Sequence, residues 1–333
     1  MPFMIESGGT SPRMDLRIIQ AHKWLSECYT LVSQDFFPVA GDASFRRYFR
    51  VRVDGDVHIL MDAPPDKESC DSFLDVTKRL HDAGLHAPEI LASNLEQGFL
   101  LLEDLGDELF RDLLAREKPE PLFEEAFSAL AVFAREVDSG GLPSYDEASL
   151  HDDLNLFTDL YLVRHKHVLL KHQQRLDWTA FCDELVQSAL QQPQVFVHKD
   201  FHSCNLLRTS ENSPGIIDFQ DAIKGPVTYD FVSLIWDRYI PWPREQIEAW
   251  MEQFRLLAAP DIPSDQWVYY CDLMGLQRNL RIVGRFAQLE YFEGKSGYLE
   301  MIPRFFQYAL DVLPRYPQFS GIEEWIGSEA CAP

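Results

Sequence analysis

The hydrophobic period of this chain changes near Gly106, and that change limits the folds open to it. Before Gly106 the apolar residues follow strand spacing. Tyr48-Phe49-Arg50-Val51-Arg52-Val53 and Val57 to Met61 flank Asp54-Gly55-Asp56, which predicts a hairpin within a strand-like stretch from Phe37 to Asp62. After the Ala63-Pro64-Pro65 breaker, Phe73, Val76 and Leu80 recur at helical spacing until Gly84 and Pro88 stop the helix. Ile90 to Ser93 and Phe99 to Glu103 supply two more short strands, so the first hundred residues are expected to be mixed sheet plus one helix. Beyond Gly106 the pattern is that of long amphipathic helices, with Phe123, Phe127, Leu130 and Phe133 on one stripe of Leu122 to Val137. Val195-Phe196-Val197, Leu206-Leu207-Arg208 and Gly215-Ile216-Ile217 interrupt it as three short strands separated by polar loops. Helices resume near Arg244, with breaks at Pro303 and Pro314. The expected class is α+β with two lobes: residues 1–105, of which 1–14 are a loose tail, as a small antiparallel-sheet lobe, and residues 106–333 as a mainly helical lobe.

Composition excludes several functions. The chain has 333 residues and is 46% hydrophobic, enough to bury a sizeable core. Its longest apolar runs fall far short of the roughly 18 residues that cross a bilayer, so no membrane partner is expected. The first residues lack the basic start and apolar stretch of a secretory leader, and a cytoplasmic location follows as an expectation. Six cysteines, none in a Cys-x-x-Cys pair, suggest neither a zinc site nor a disulfide framework. A formal charge of −23 argues against a nucleic-acid partner; it reads mainly as a solvated surface and secondarily as an attraction for a cationic substrate.

The chemistry is concentrated in Val197-His198-Lys199-Asp200-Phe201-His202-Ser203-Cys204-Asn205-Leu206-Leu207, followed after a turn by Ile216-Ile217-Asp218-Phe219-Gln220-Asp221. Two acids and an amide stand at strand ends. Phosphoryl transfer needs a group that orients and deprotonates the attacking hydroxyl, and oxygen ligands for the magnesium that neutralises the triphosphate. Asp200, Asn205 five residues on, and Asp218 after a hairpin form such a set.

This arrangement resembles the catalytic loop and metal-binding Asp of protein kinases and of the aminoglycoside phosphotransferase and choline kinase superfamily. The resemblance implies a bilobal protein-kinase-like fold that uses ATP and Mg2+. It makes Asp200 the base, Asn205 and Asp218 the metal ligands, His198 a brace for the loop, and His202 a phosphate contact or loop support. It places a phosphate loop at Gly41 to Tyr48, where Ser44, Phe45 and Arg46 bind nucleotide and Arg46 or Arg47 assists. Leu101-Leu102-Glu103-Asp104-Leu105-Gly106 resembles the hinge that receives adenine through the Glu103 carbonyl and the Leu105 amide. The third strand, His58-Ile59-Leu60-Met61-Asp62, has no lysine for the phosphates; an arginine is expected to substitute, and Glu68 is a candidate for its acidic partner.

Further stretches are similar to the bacterial anomeric kinases of N-acetylmuramate and N-acetylglucosamine. They are Gly41 to Val51, Leu60 to Pro65, His198 to Ser203, Gly225 to Asp230 and Gly275 to Ala287, followed by Gly294-Lys295. The likeness implies a small-molecule amino sugar as substrate in cell-wall recycling. Arg278 and Arg281 are then candidates for the sugar site, and Asp230 is expected to fix the loop that carries Asp218. An aminoglycoside kinase, a choline-type kinase with Trp236, Tyr239 and Trp242 near Asp237 as a cage, and a non-catalytic nucleotide-binding scaffold are the competing readings.

Overall fold

The computed structural model describes residues 15–31, 36–39, 45–237 and 240–326. In chain order the elements are α1 (Leu16–Cys28), β1 (Phe37–Pro38), β2 (Arg47–Val53), β3 (Asp56–Asp62), α2 (Asp71–Asp82), β4 (Ile90–Asn94), β5 (Phe99–Glu103), α3 (Phe110–Leu114), α4 (Pro119–Arg135) and α5 (Glu147–Leu156). A π-helical segment (Phe157–His165), α6 (His172–Leu190), β6 (Gln194–Val197), β7 (Leu206–Leu207), β8 (Gly215–Ile216) and β9 (Ile223–Pro226) follow. The chain closes with α7 (Tyr229–Ile235), α8 (Arg244–Ala258), α9 (Ser264–Glu293), α10 (Ile302–Val312) and α11 (Ser320–Trp325). Two compact units result, Met1–Glu108 with Leu207–Gln220, and Leu109–Leu206 with Asp221–Pro333.

The first unit is built on an antiparallel sheet of order β1-β2-β3-β5-β4. Its central hairpin turns at Asp54 (φ 51°) and Gly55 (φ 100°), so both turn residues adopt the left-handed backbone that a two-residue loop demands, and glycine takes the more extreme value at no Cβ cost. Strand alternation sends Phe49, Val51 and Val53 to one face, where they join Leu60, Phe99 and Leu101 under Ile18, Ala21, Trp24 and Leu25 of α1. Each large side chain so buried contributes about 1.5–3 kcal/mol. Among the described residues two helices therefore serve this unit where the sequence suggested one. The missed helix begins just beyond the segment read as tail, with a buried stripe of only four residues; its start is marked by Asp15, whose carboxylate caps the Arg17 and Ile18 amides.

The second unit is mostly helical. Its small sheet pairs β6 with β9 in antiparallel register, Gln194 opposite Pro226. Strand β9 reads Ile-Lys-Gly-Pro, and its glycine and proline hid it from a propensity reading. Long α9 passes Trp236 so closely that a Cβ on Gly275 would lie 1.3 Å from the indole ring. Pro303 opens α10, and Pro314 lies in the 3-10 turn after it, as the breaks predicted.

Candidate active site

In the second unit, β6 delivers the chain into the segment from His198 to Asn205, and its backbone is held from outside. Asp230, buried in the first turn of α7, accepts from the His198 amide at 2.6 Å and from the Lys199 amide at 3.0 Å. These two bonds hold Lys199 at φ 82°, a left-handed conformation costly for a side chain with a Cβ. Burial pushes the Asp230 carboxyl up to about 7, although the two amide bonds oppose it. Asp230 thus fixes the loop of Asp200; the expectation that it fixes the loop of Asp218 is corrected, because the amides within its reach belong to β6's exit. Farther along, Ser203 donates its hydroxyl to buried Asp237, and its carbonyl accepts from the Arg111 amide at 2.9 Å.

The loop's side chains support one another. His198, almost fully buried against Phe133 and Phe201, accepts from the Asp200 amide at 3.3 Å. His202 accepts at Nδ1 from the Cys204 amide at 3.3 Å, and its carbonyl accepts from the Asn205 amide at 2.9 Å. The Asn205 Nδ2 donates to the Asp200 carbonyl at 2.9 Å. Asp200 itself is partly accessible. Burial alone would raise its carboxyl, but His202, Arg281, Arg278 and His198 outweigh it and hold the group below the ordinary carboxylate value. Asp200 is accordingly ionised at neutral pH.

Arg278 and Arg281 both lie on α9 but differ in their engagement. Arg281 Nε lies 2.9 Å from Asp153, whose carboxylate also accepts from the Tyr145 hydroxyl at 2.5 Å; the Tyr145 oxygen in turn accepts from Gln277 at 2.9 Å. Arg278 is 5% exposed, and its Nε has no hydrogen-bond partner among the described residues. The hydroxyl of fully buried Tyr229 also lacks one among them. The Asp153–Tyr145–Gln277 chain escaped sequence reasoning because its members lie on separate helices and loops and form no local motif.

The first unit carries the remaining candidates. Asp218 follows β8 at φ 64° and accepts from Gln220 Nε2 at 2.9 Å, while intervening Phe219 packs on Phe73 with ring centres 4.9 Å apart. Arg46 Nε lies 2.9 Å from Glu68, whose other oxygen accepts from the Phe45 amide at 3.2 Å; the Phe45 ring is exposed. Arg47 belongs elsewhere, paired with Asp15 at 2.5 Å and with buried Asp62, which Arg17 also engages. Ser44 lies outside the described residues, as does Tyr239 of the suggested aromatic cage. The other cage members are packing residues: Trp236 stacks on Tyr308, and Trp242 meets Phe123 and Trp250 edge-on.

At the end of β5, the Glu103 side chain turns to His86 Nε2 at 3.2 Å and accepts from the Glu89 amide at 3.2 Å. Arg50 grips Asp104 at 2.5 Å and fixes the segment that follows. Glu103 and Leu105 line a cavity of about 690 Å³ with His86, Arg208 and Asn212.

Such a sheet-plus-helix architecture, with an acid, an amide and a second acid on short strand-linked loops, defines the protein-kinase-like class of small-molecule phosphotransferases. The chain belongs to the phosphotransferase enzyme family, whose profile it matches over residues 35–268. It is 41% identical over 329 residues, 94% of this chain and 97% of the relative, to the N-acetylmuramate/N-acetylglucosamine kinase of Pseudomonas aeruginosa. Among solved structures it shares its fold with choline kinase LicA from Streptococcus pneumoniae, with TM-score 0.62, 11% identity, and coverage of 89% of this chain and 99% of that one. ADP-bound aminoglycoside phosphotransferase APH(2'')-Ib is similar at TM-score 0.57, 12% identity, and coverage of 88% and 96%. The protein is an enzyme that transfers phosphoryl groups to a hydroxyl acceptor.

Proposed function

We propose that the enzyme is an ATP-dependent sugar kinase that phosphorylates the anomeric hydroxyl of N-acetylmuramate and N-acetylglucosamine in cell-wall recycling. The observation that carries this reading is the state of Asp200, a partly accessible carboxylate kept ionised by surrounding cations and imidazoles, in a chain whose relatives are named for these two sugars. In the reaction, Asp200 orients the sugar hydroxyl and accepts its proton. The sugar oxygen forms a bond to the γ-phosphorus as the bond from that phosphorus to the bridging oxygen breaks, and ADP leaves with the bonding pair. A depressed pKa makes Asp200 a weak base, which suits a loose transition state in which the proton moves late.

Asn205 and Asp218 are hard oxygen donors, and the tethering of the Asn205 nitrogen to the Asp200 carbonyl suits an oxygen offered to a cation. We assign them to magnesium, which when bound neutralises charge on the phosphate oxygens. Ser44, Phe45 and Arg46 are assigned to the triphosphate, the Glu103 carbonyl and Leu105 amide to adenine, and His198 and His202 to loop support. Within the sugar site, Arg278 is the cation suited to the lactyl carboxylate of muramate, since Arg281 is already committed to Asp153. In this reading the unit of Met1–Glu108 with Leu207–Gln220 serves the nucleotide and that of Leu109–Leu206 with Asp221–Pro333 the substrate.

The test is to incubate the purified protein with magnesium-ATP and a panel of amino sugars, aminoglycosides and choline, and to locate the phosphate by NMR. A sugar 1-phosphate is expected. Phosphate at another position, on another acceptor, or nowhere would overturn the assignment, the last outcome favouring a scaffold.

A further inference from the structure

One short stretch runs against the charge of the whole chain. The 12 residues Arg164-His165-Lys166-His167-Val168-Leu169-Leu170-Lys171-His172-Gln173-Gln174-Arg175 hold four of its 30 lysines and arginines and none of its 53 acids, in a protein of formal charge −23. The stretch joins the π-helical segment to α6, within the second unit, and its course is fixed. The Val168 amide donates to the Leu162 carbonyl at 2.9 Å, which folds the chain back past His167 at φ 56°. Leu169 then stands 75% exposed. Arg175 reaches back to this return, its Nη1 donating to the Leu170 carbonyl at 3.0 Å. The end of α9 lies against the same stretch: His165 Nδ1 meets the Tyr291 hydroxyl at 2.8 Å, and the Arg164 guanidinium covers the rings of Tyr291 and Phe292 at 5.2 and 4.8 Å. Phe292 is itself 62% exposed.

Exposed apolar side chains gathered beside cations add little to packing and mark a surface that meets something else. Ion pairing does not account for Arg164 and Arg175, whose guanidinium contacts among the described residues are aromatic rings and a backbone carbonyl. Glu293, the acid next to Phe292, is already paired with Arg285 and Lys295. Charges farther away than roughly 8 Å are screened at physiological salt, so the acids elsewhere on the chain leave this face locally positive. Cationic side chains around single apolar tips are the composition of segments that lie on anionic headgroups. A fluid headgroup layer accepts such tips without a complementary shape, whereas a protein partner needs a packed pocket for each anchor. We propose that the face carrying Arg164, Leu169, Arg175 and Phe292 docks on an anionic phospholipid surface, the two apolar side chains entering the headgroup layer and the two arginines meeting lipid phosphates. Contact of this kind is peripheral and needs no spanning helix; among the described residues no helix is long and apolar enough to cross a membrane. The inference stands apart from the sugar-kinase reading.

Co-sedimentation of the full chain with phosphatidylcholine vesicles, made with and without phosphatidylglycerol, tests it at low and at high salt. The wild type is expected to pellet only with the phosphatidylglycerol vesicles, and less at high salt. A variant combining Arg164→Gln with Arg175→Gln should bind about 25-fold more weakly, because each cation near such a surface contributes about fivefold. Leu169→Ser, which keeps every charge, should bind about 10-fold more weakly through lost apolar insertion. Unfolding temperatures establish that the variants fold, and either variant suffices if the other does not. A wild type that fails to pellet, equal pelleting with both vesicles, or folded variants that bind like wild type would overturn the inference. A dimer seen by sedimentation velocity without vesicles and lost in Leu169→Ser would also overturn it, giving the face to a second copy of the chain. So would binding to soluble polyphosphate that equals binding to phosphatidylglycerol and ignores Leu169→Ser, the behaviour of a general anion site.

Discussion

The loop from His198 to Asn205 and the face that joins Arg46 to Glu68 solve a similar problem by opposite arrangements. In the loop, the candidate catalytic groups are close neighbours along the chain, and their spacing is locked by amides given to Asp230 and a carbonyl given to Arg111. On the sheet face, the two charged partners come from different segments and meet through a tertiary ion pair. A loop whose side chains must converge within a few residues leaves little freedom in spacing. A pair assembled through the fold draws its members from segments far apart in sequence.

That contrast can be broken experimentally, beginning with the loop. Asp200→Asn is expected to lower kcat by roughly 10²- to 10⁴-fold, the range of a lost general base, with ADP affinity unchanged; a variant retaining more than about a tenth of the activity would remove Asp200 from its role. Asp218→Ala should lower the rate and shift the magnesium titration to higher concentration, and an unaltered titration curve would refute its ligand role.

Asp230, which holds the loop through two amides, gives that support a pH signature. Burial raises its carboxyl to about 7 in the folded chain against an ordinary value of 3.8, so between those pH values the folded state binds more protons than the unfolded one. The contribution of this group to stability therefore falls as pH rises from about 4 to about 7, by up to roughly 4 kcal/mol. Asp230→Asn should flatten that slope in denaturant titrations across the window, and an unchanged slope would contradict the buried-carboxyl account.

Smaller effects separate the paired arginines. Arg278→Ala should raise KM for N-acetylmuramate by about 10-fold or more, the scale of one charged hydrogen bond, and raise it less for N-acetylglucosamine, which has no carboxylate. Equal changes for both sugars would make Arg278 a structural residue. Arg47→Lys, which weakens a partly exposed network around Asp62, should cost about 1 kcal/mol of stability with the nucleotide preference intact.

Much of this was legible in the sequence where local spacing decides structure. The Asp54-Gly55 hairpin, the helix ending before Gly84 and the strand leading to His198 all follow from turn chemistry and period. Helix α1 was hidden because its short apolar stripe adjoins a polar tail, and β9 because Gly225 and Pro226 read as a break. Arg46 and Arg47 were indistinguishable as neighbours in sequence; only the alternation of β2 sends one toward Tyr48 and the other toward α1. The division between Arg278 and Arg281 was equally invisible, since it depends on Asp153, contributed by another helix.

Two aspartates of the site are driven in opposite directions, partly accessible Asp200 downward by its cations and buried Asp230 upward by its enclosure. Carboxyl carbon NMR titration of the selectively labelled protein, assigned with Asp200→Asn and Asp230→Asn, measures both directly. Asp200 is expected to titrate below 3.8 and Asp230 near 7. An Asp200 that remains protonated above pH 5, about one unit past its ordinary range, would contradict the claim that this site holds a ready carboxylate for the sugar hydroxyl.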